Sequence, residues 1–333
     1  MGAETYRSAG VDVAACDAWL GRLGEQLPAI GGFGGLFPLG PHIREMREPC
    51  LVASADGVGT KLLVAQAAGD LSTIGIDCVA MVVNDLVCCG ARPLFFLDYL
   101  AVERFSETMA DAVLGGIQRG CAEAGCELIG GETAELPGLL PTDRFDICGF
   151  GVGAVDRAKA IDGSSIAAGD AIIGLPSSGL HSNGFSLARR VLPAEAMNLE
   201  MARALLEPTR IYVQPVLAML DEVKVKGIAH ITGGGLPGNL RRVLPQGVDA
   251  RLDPAAWDRH AIFDMIARSG EIEPGEMFRT FNMGIGLCLV VAAEHAEPTL
   301  RALHAQGARA IGEIAAGSGQ VHIHQIHNLG VDL

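Results

Sequence analysis

One segment, residues 73–89, constrains the fold more than any other, because its side chains are apolar on nearly every side. Its spacing predicts a long helix, and an α-helix that is hydrophobic all round has to be buried. The polar residues Asp77, Asn84 and Asp85 stand at i, i+7 and i+8, so they share one helix face. Carboxylates beside a buried helix need a partner such as a cation. The alternative is an N-terminal capping acid followed by a solvated pair.

Two further acidic segments lie among glycines. One reads Asp56-Gly57-Val58-Gly59-Thr60-Lys61, and the other reads Gly130-Gly131-Glu132-Thr133-Ala134-Glu135. Mg²⁺ takes carboxylate and phosphate oxygens as ligands, and glycine lets backbone N–H groups approach a phosphate closely. The pattern predicts a magnesium and polyphosphate site, in which Asp56 and Glu132 add oxygens to those of the helix. We therefore expect the chain to use ATP.

Two other residues near these segments are open to more than one interpretation. Asp98 follows the apolar run Leu94-Phe95-Phe96-Leu97, and it is either a further acid of the site or an edge-strand acid paired with an arginine. Lys61 follows two glycines, but the G-x-x-x-x-G-K-[ST] spacing of a P-loop is absent from the chain. We therefore expect ATP to be held by a different fold.

The second half of the chain contains two candidate ligand loops. Residues 177–184 combine hydroxyls and an amide ahead of a helix predicted at 185–191, which suits a ligand phosphate, although simple N-capping is the alternative. Residues 233–238 match G-x-G-x-x-G, but Pro237 at the helix start indicates a phosphate- or substrate-binding nest rather than a dinucleotide fold. His230 precedes this loop and is either a proton-transfer group or a structural histidine.

Composition argues against several classes of partner and location. The 25 Lys and Arg residues against 39 Asp and Glu give a net charge of −14, which disfavours nucleic acids and anionic membranes as partners. The nine cysteines include no Cys-x-x-Cys pair, as expected for reduced thiols in a cytoplasmic protein. No apolar run is long enough and free enough of charge to span a bilayer.

The order of predicted elements is that of a two-domain α/β protein. Strands at 50–55, 94–102, 127–129 and 145–155 alternate with helices at 60–68, 73–89 and 107–123. A boundary near 162–169 precedes a second α/β series, which starts with a strand at 171–175 and includes an apolar strand at 284–293. We therefore divide the chain into an ATP-binding domain, 1–167, and a substrate-binding domain, 168–333. Residues 31–35 are glycine-rich and predict a mobile loop.

Many segments match, in order, the motifs of one enzyme family: residues 6–12, 31–37, 56–61, 73–77, 84–85, 95–99, 130–137, 177–184, 208–212, 230–235 and 281–284. On these segments the chain resembles the aminoimidazole ribonucleotide synthetase (phosphoribosylformylglycinamidine cyclo-ligase) family over nearly its whole length. The departures are Arg7, where many members carry Lys, a short segment at 193–206, and residues 236–239, which lack an acidic residue before the Asn. They concern loop contacts with the substrate and not the reaction.

The resemblance implies a fold, a reaction and an oligomer. The N-terminal mixed α/β domain is expected to contribute strands to the central barrel of a homodimer, with the C-terminal α/β domain packed outside. The reaction implied is ATP-dependent cyclisation of formylglycinamidine ribonucleotide to aminoimidazole ribonucleotide, a step of purine biosynthesis that requires Mg²⁺. The amide oxygen is expected to be phosphorylated first, and the amidine nitrogen then displaces phosphate.

The resemblance also assigns roles to residues. The expected metal ligands are Asp56, Asp77, Asp85 and Glu132. The expected nucleotide contacts are Asp56, Gly57, Gly59, Thr60, Lys61, Asp77, Asn84, Asp85, Gly131 and Glu132. The expected substrate contacts are Ser177, Ser178, Gly179, His181, Ser182, Asn183, Thr232, Gly233, Gly234 and Gly235. The expected catalytic residues are Lys61, Asp98 and His230.

Enzymes that share this ATP-binding scaffold are the alternatives. A selenophosphate synthetase would carry a reactive Cys or selenocysteine beside a Lys in the N-terminal glycine loop, whereas Cys16 precedes that loop without one. A hydrogenase-maturation protein would end in a cysteine, and a formylglycinamidine synthetase would be far longer. Thiamine-monophosphate kinase is a further relative. A non-catalytic nucleotide sensor, which binds ATP without turnover, is an alternative of a different class.

Overall fold

The computed structural model describes residues 11, 13–26, 33–192 and 199–324. In these ranges the chain forms two mixed β-sheets with helices packed on them, which confirms the predicted two-domain α/β class. Arg7, the first two glycines of the 31–35 loop and the start of the segment at 193–206 lie outside the described residues. The predicted division at residue 167 falls between the two sheets.

The first sheet is built from β1 (Pro49–Gly57), β2 (Arg92–Val102), β3 (Glu127–Glu135) and β4 (Phe145–Asp156). Its strand order is β1-β4-β2-β3, and only the β2–β3 pair is parallel. The accompanying helices are α1 (Val13–Gln26), α2 (Gly40–Ile43), α3 (Lys61–Ala68), α4 (Ile74–Cys88) and α5 (Glu107–Ala124). The three helices predicted at 60–68, 73–89 and 107–123 are therefore confirmed, each within one residue at either end.

Helix α4 lies at the centre of this unit, packed on β1, β2 and β4 and against α5. Nearly all of its residues are buried, as expected for a helix that is apolar on all sides. The close approach of α5 depends on Gly75, where a Cβ atom would lie 2.1 Å from the Val113 carbonyl oxygen and 2.2 Å from the Ile117 nitrogen. No residue with a side chain fits this spacing unless the helices move apart.

The sheet face away from α4 exposes large apolar side chains. Leu51 is 62% exposed, Phe150 44% and Tyr99 37%. Cross-strand pairing sets Phe150 between Ala55 and Leu97, so the apolar row continues across three strands. A contiguous apolar patch on a sheet face is typical of a surface that binds another protein surface.

One prediction about this sheet is wrong, and so is one of the two alternatives left open for Asp98. The strand predicted at 127–129 continues through the glycines to Glu135, because Gly131 pairs with Asp98 of β2. A Cβ atom at Gly131 would lie 2.3 Å from Oδ1 of Asp98, so this glycine permits close strand pairing and not a turn. Strand β2 lies between β3 and β4, so Asp98 is not an edge-strand acid, and no arginine of the described residues pairs with it.

The second sheet has six strands in the order β10-β7-β9-β5-β8-β6, and only the β7–β10 pair is parallel. These are β5 (Ala171–Pro176), β6 (Val225–His230), β7 (Val248–Leu252), β8 (Ile285–Val291), β9 (Arg309–Ala316) and β10 (Val321–Ile323). The helices are α6 (Phe185–Val191), α7 (Leu199–Leu206), α8 (Val213–Leu220), α9 (Gly235–Arg241), α10 (Ala261–Gly270), α11 (Pro274–Thr280) and α12 (Ala296–Ala302).

The core of the second unit forms around β8, every residue of which is buried. This agrees with the apolar strand predicted at 284–293 and with its inner position between β5 and β6. The predicted helix at 185–191 is confirmed as α6. The two units meet where α4 contacts β6 and α8. Across the ranges that the structure describes, no helix combines the length and the apolar character needed to cross a membrane.

Candidate active site

The first acidic segment forms a tight turn between β1 and α3. Asp56 lies at the end of β1, and its Oδ1 accepts a 2.7 Å hydrogen bond from the Gly57 N–H. Gly59 has a φ of +63°, which a residue with a side chain adopts only at a cost. The turn therefore brings the backbone from the sheet directly into the start of α3, as the glycine spacing predicts.

Asp56 and Asp98 lie in one row across the first sheet. Strand pairing aligns Asp56 with Gly149, Gly149 with Asp98, and Asp98 with Gly131. Residues aligned across strands share a face, and here it is the face that α4 covers. Burial raises the pKa of Asp98 to about 7, so this carboxyl group titrates near neutral pH.

Asp85 of α4 reaches the end of the second sheet. Its Oδ1 lies 2.9 Å from Nδ1 of His230, the last residue of β6. Asp56 is near this pair: burial raises the pKa of Asp56, the Gly57 N–H opposes the shift, and the charge of Asp85 raises the pKa further. The structure therefore brings together Asp56, Asp85 and His230, three residues that the sequence places far apart.

Asp85 and His230 also line a cavity of about 360 Å³. Its wall includes residues 52–54 of β1, the end of α4, Asn239 of α9 and Arg242, which directly follows α9. A larger cavity of about 1070 Å³ lies beside the C-terminal half of α3, among Gln66, Arg104 and Arg144, and none of the predicted site residues lines it. Of these two cavities, the smaller one is therefore the one that adjoins the predicted site residues Asp85 and His230.

Lys61 and Asp77 form a buried ion pair. Nζ of Lys61 lies 2.9 Å from Oδ1 and 2.8 Å from Oδ2 of Asp77, and both side chains are fully buried. The same Nζ donates to the Glu207 carbonyl oxygen at 2.8 Å. Burial lowers the pKa of Lys61, and the charge of Asp77 opposes that shift. Each group is enclosed by the other and by the second unit, and the expectation that both contact the ligands stays a prediction.

The Asn84 side chain is also hydrogen-bonded within the protein. Its Nδ2 donates to the Arg210 carbonyl oxygen and its Oδ1 accepts from the Tyr212 N–H, both at 2.9 Å. Glu132 pairs with Tyr99 in the sheet and therefore points to the face opposite Asp98. In the described part of the chain, no three His, Cys, Asp or Glu side chains form a cluster that could hold a metal ion. The predicted set of four metal ligands stays a prediction.

The loop at 177–184 is held by its own polar side chains. The hydroxyls of Ser177, Ser178 and Ser182 contact Asn282 Oδ1, the Pro208 carbonyl oxygen and the Thr209 hydroxyl at 3.0, 2.5 and 2.9 Å, respectively. Asn282 also donates to the Gly179 carbonyl oxygen at 2.9 Å. These hydrogen bonds fix the backbone conformation of the loop.

His181 and Asn183 are the two side chains of this loop with unused polar groups. His181 has a φ of +61°, and its Nε2 accepts a 3.1 Å bond from the Ser178 N–H, which leaves Nδ1 buried without a partner among the described residues. Burial lowers the pKa of His181 well below its usual value, so the ring is neutral. Among the described residues, the one donor contact of the Asn183 amide is a 3.8 Å contact to the sulfur of Met81.

The second candidate loop is organised by Asn239. Its Nδ2 lies 3.3, 3.2 and 2.8 Å from the carbonyl oxygens of Thr232, Gly233 and Gly235, respectively. Gly234 and Gly235 both have positive φ, which glycine adopts without steric cost. A Cβ atom at Gly233 would lie 3.4 Å from Oδ1 of Asn183, so the two predicted substrate loops meet.

Three organising residues were missed in the sequence, namely Asn239, Thr209 and Asn282. Each contacts backbone or side chains of a predicted loop and none carries a charge. The positions of two of them could have indicated their importance, because Thr209 and Asn282 lie within the motif segments 208–212 and 281–284. Their side chains explain why those segments carry polar residues between apolar ones.

Comparison with known proteins decides the family. Residues 43–155 match the N-terminal domain, and residues 167–325 the C-terminal domain, of AIR synthase related proteins. The phosphoribosylformylglycinamidine cyclo-ligase of Myxococcus xanthus is 52% identical over 337 residues, which cover 95% of this chain and 97% of that protein. The enzyme of the same name from Thermodesulfovibrio yellowstonii is 47% identical, with 94% and 97% covered. The chain belongs to the phosphoribosylformylglycinamidine cyclo-ligase family of enzymes.

Solved structures similar to this cyclo-ligase chain share its fold. The hydrogenase maturation protein HypE of E. coli superposes with a TM-score of 0.71 at 18% identity, covering 95% of this chain and 94% of that one. A HypE structure in complex with ATP has a TM-score of 0.62 at 21% identity, with 82% and 81% covered. At such identities the likeness shows the fold alone, whereas the cyclo-ligases are similar over nearly the whole sequence.

Proposed function

We propose that the protein closes formylglycinamidine ribonucleotide to aminoimidazole ribonucleotide and converts ATP to ADP and phosphate. The observation that carries the proposal is the identity of about half of all residues to cyclo-ligases along nearly the whole chain. The contact between Asp85 and His230 supports it, because it joins the acidic end of the first unit to the glycine loops of the second. A ring closure at this junction can therefore use side chains and backbone groups of both units.

The chemistry asks the chain to position two ligands and to move a proton. An amide oxygen is a poor leaving group, so transfer of the ATP γ-phosphoryl group to the formyl oxygen prepares it for displacement by the amidine nitrogen. We place the ATP phosphates at the turn at 56–60 and the substrate at the loops 177–184 and 232–235, where Asn183 and backbone N–H groups are available. Release of phosphate then completes the imidazole ring.

His230 is the group that we propose takes the proton of the attacking nitrogen. The Asp85 carboxylate accepts from Nδ1–H, and this leaves the lone pair of Nε2 to act as a base. Among the described residues, Nε2 has one hydrogen-bonding partner, the Asn84 amide at 3.5 Å, which is too distant to hold it firmly. Asp98, with its pKa raised to about 7, is the second group that can hold or release a proton near neutral pH.

The donor set at the junction fits Mg²⁺. Asp56 and Asp85 offer hard carboxylate oxygens close enough for the charge of one to raise the pKa of the other. Asp56 accepts from the Gly57 N–H and Asp85 contacts His230, but no lysine or arginine of the described residues forms an ion pair with either, so a bound cation would supply positive charge to both. When bound, Mg²⁺ neutralises phosphate charge during phosphoryl transfer. We propose Asp56 and Asp85 as its protein ligands, and we leave out Asp77 because Lys61 encloses it.

The proposal includes a homodimer formed through the sheet. The apolar side chains of Leu51, Tyr99 and Phe150 lie on one exposed face, and a second copy of that face is the partner that the family resemblance implies. A cytoplasmic location, where nucleotides and reduced thiols are found, is part of the same proposal.

Product formation tests the function. Purified protein is incubated with ATP and Mg²⁺, with and without formylglycinamidine ribonucleotide, while ADP and aminoimidazole ribonucleotide are followed by mass spectrometry. Equal amounts of both products are expected, and only with the substrate present. ATP binding without the imidazole product would contradict the proposal and favour a nucleotide sensor.

A further inference from the structure

The segment between α7 and α8, residues 207–212, is bonded to α4 along its length. The Thr209 N–H and hydroxyl both donate to Asp77 Oδ1 at 2.7 Å. Two turns further along the helix, Asn84 bonds to the Arg210 carbonyl oxygen and the Tyr212 N–H. The two units of the protein are therefore joined by side chains of α4 that bind the backbone of this segment, which we call the connector.

Lys61 extends this contact to the nucleotide turn. It follows Thr60 directly, and its ammonium group bonds both to Asp77 and to the connector at the Glu207 carbonyl oxygen. Thr73, just before α4, adds a 3.1 Å bond from its hydroxyl to the Leu206 carbonyl oxygen. A fully buried ion pair whose charges have such partners is strongly destabilised when only one of the two is removed.

The connector is in turn bonded to the substrate loop. Thr209 contacts the Ser182 hydroxyl at 2.9 Å, and the Pro208 carbonyl oxygen accepts the Ser178 hydroxyl at 2.5 Å. One chain of polar contacts thus runs from Lys61 through Asp77 and Thr209 to Ser182. Its first member adjoins the turn at 56–60 and its last lies within the loop at 177–184.

We propose that Lys61, Asp77 and Thr209 are positioning residues, which hold the substrate loop in register with the nucleotide turn without touching ATP or Mg²⁺. The proposal rests on the function argued above and assigns to Lys61 and Asp77 a different role from ligand contact. Their burial supports this role, because each is 0% exposed and their opposite charges lie 2.8 Å apart. Apart from this ion pair, Oδ2 of Asp77 has no hydrogen-bond donor among the described residues. A register error between the two loops would separate the γ-phosphoryl group from the formyl oxygen.

The ion pair is tested with a double-mutant cycle. Lys61→Met and Asp77→Asn each leave one buried charge unpaired, and each is expected to lower the melting temperature and to reduce kcat/KM at least tenfold. The double variant contains no unpaired charge at this site. The amide oxygen that Asp77→Asn introduces can still accept hydrogen bonds from Thr209. We expect it to regain at least tenfold in kcat/KM over the weaker single variant, together with most of the melting temperature.

A ligand role predicts the opposite for the double variant. If Lys61 or Asp77 contacts ATP or Mg²⁺, the double variant stays as inactive as the worse single variant and needs more Mg²⁺ for half-maximal rate. Lys226→Met is the control, since it breaks another largely buried pair, in which Nζ of Lys226 lies 2.6 Å from Oδ1 of Asp170. It is expected to lower the melting temperature and to leave kcat/KM of the folded enzyme unchanged.

A second cycle tests the link to the substrate loop if the charge variants fail to fold. Thr209→Val and Ser182→Ala are each expected to raise KM for formylglycinamidine ribonucleotide about tenfold, with the Mg²⁺ requirement unchanged. Because both remove one shared contact, the double variant should be no worse than the worse single variant. If the two single effects on KM multiply in the double variant, the proposal is wrong. Wild-type protein that makes no product would refute the reaction instead, and the melting-temperature cycle would still test the positioning chain.

Discussion

Nδ1 of His230 lies 2.9 Å from Oδ1 of Asp85, although one residue ends a strand of the second sheet and the other belongs to the central helix of the first unit. The side chain of His230 is almost fully buried, whereas that of Asp85 is 37% exposed. A carboxylate in this position fixes the imidazole tautomer and leaves Nε2 as an acceptor. The orientation of His230, which we propose as the proton acceptor, thus depends on contact between the two units.

We expect Asp85→Asn and His230→Gln each to lower kcat by a factor of about 100 or more, since each removes part of the proposed general base. Circular dichroism should show that the variants remain folded. His322→Gln is the matched control, because Nε2 of His322 lies 3.0 Å from Asp249 in a pair remote from the predicted site. Normal turnover by Asp85→Asn would refute both its proposed roles, in Mg²⁺ binding and in orienting His230.

The exposed sheet face predicts a change of oligomeric state. Leu51→Glu combined with Phe150→Glu places two charges on the apolar row, and burying them in a dimer would cost several kcal/mol. We expect light scattering to show a dimer for the wild type and a monomer for this variant. Ala302→Glu, on the outer surface of α12, is the control and should stay dimeric. A dimeric double variant would mean that the apolar face is not the interface.

The raised pKa of Asp98 predicts that the folded protein loses stability as the pH rises. Because burial raises its pKa in the folded state to about 7, the folded state binds a proton more tightly than the unfolded state does. The stability from this group is complete below the unfolded pKa of about 4 and is lost as pH rises through about 7. In urea denaturation without Mg²⁺, Asp98→Asn should therefore gain roughly 2–3 kcal/mol relative to wild type between pH 5 and pH 8. Parallel pH curves would show that Asp98 is ionised in the folded protein.

Much of the fold was predictable because it follows from local patterns. Helix α4 was found from its apolar residues alone, and α6 from the polar loop before it. The predicted β3 strand ended at residue 129, before Gly130 and Gly131, and only the pairing with β2 shows why glycine is needed there. Local sequence does not contain that pairing.

The site was predictable in its residue types but not in its partners. The stripe formed by Asp77, Asn84 and Asp85 was recognised as a polar face that needs partners, and a cation was the partner inferred. The structure supplies three different partners: a lysine for Asp77, backbone groups for Asn84 and a histidine for Asp85. Two of these come from the second unit, more than 120 residues away in sequence, so spacing within α4 could not have identified them.

Packing of α4 on α5 predicts opposite effects for two glycine substitutions. Gly75→Ala places a Cβ atom 2.1 Å from the Val113 carbonyl oxygen, so the helices must separate, and we expect a loss of about 3 kcal/mol in the free energy of unfolding. Gly115→Ala, in α5, meets only the flexible end of Arg119 at 3.6 Å, and it should gain about 0.5–1 kcal/mol from helix propensity. Urea denaturation measures both. Equal effects of the two variants would mean that α4 and α5 are less closely packed than the structure shows.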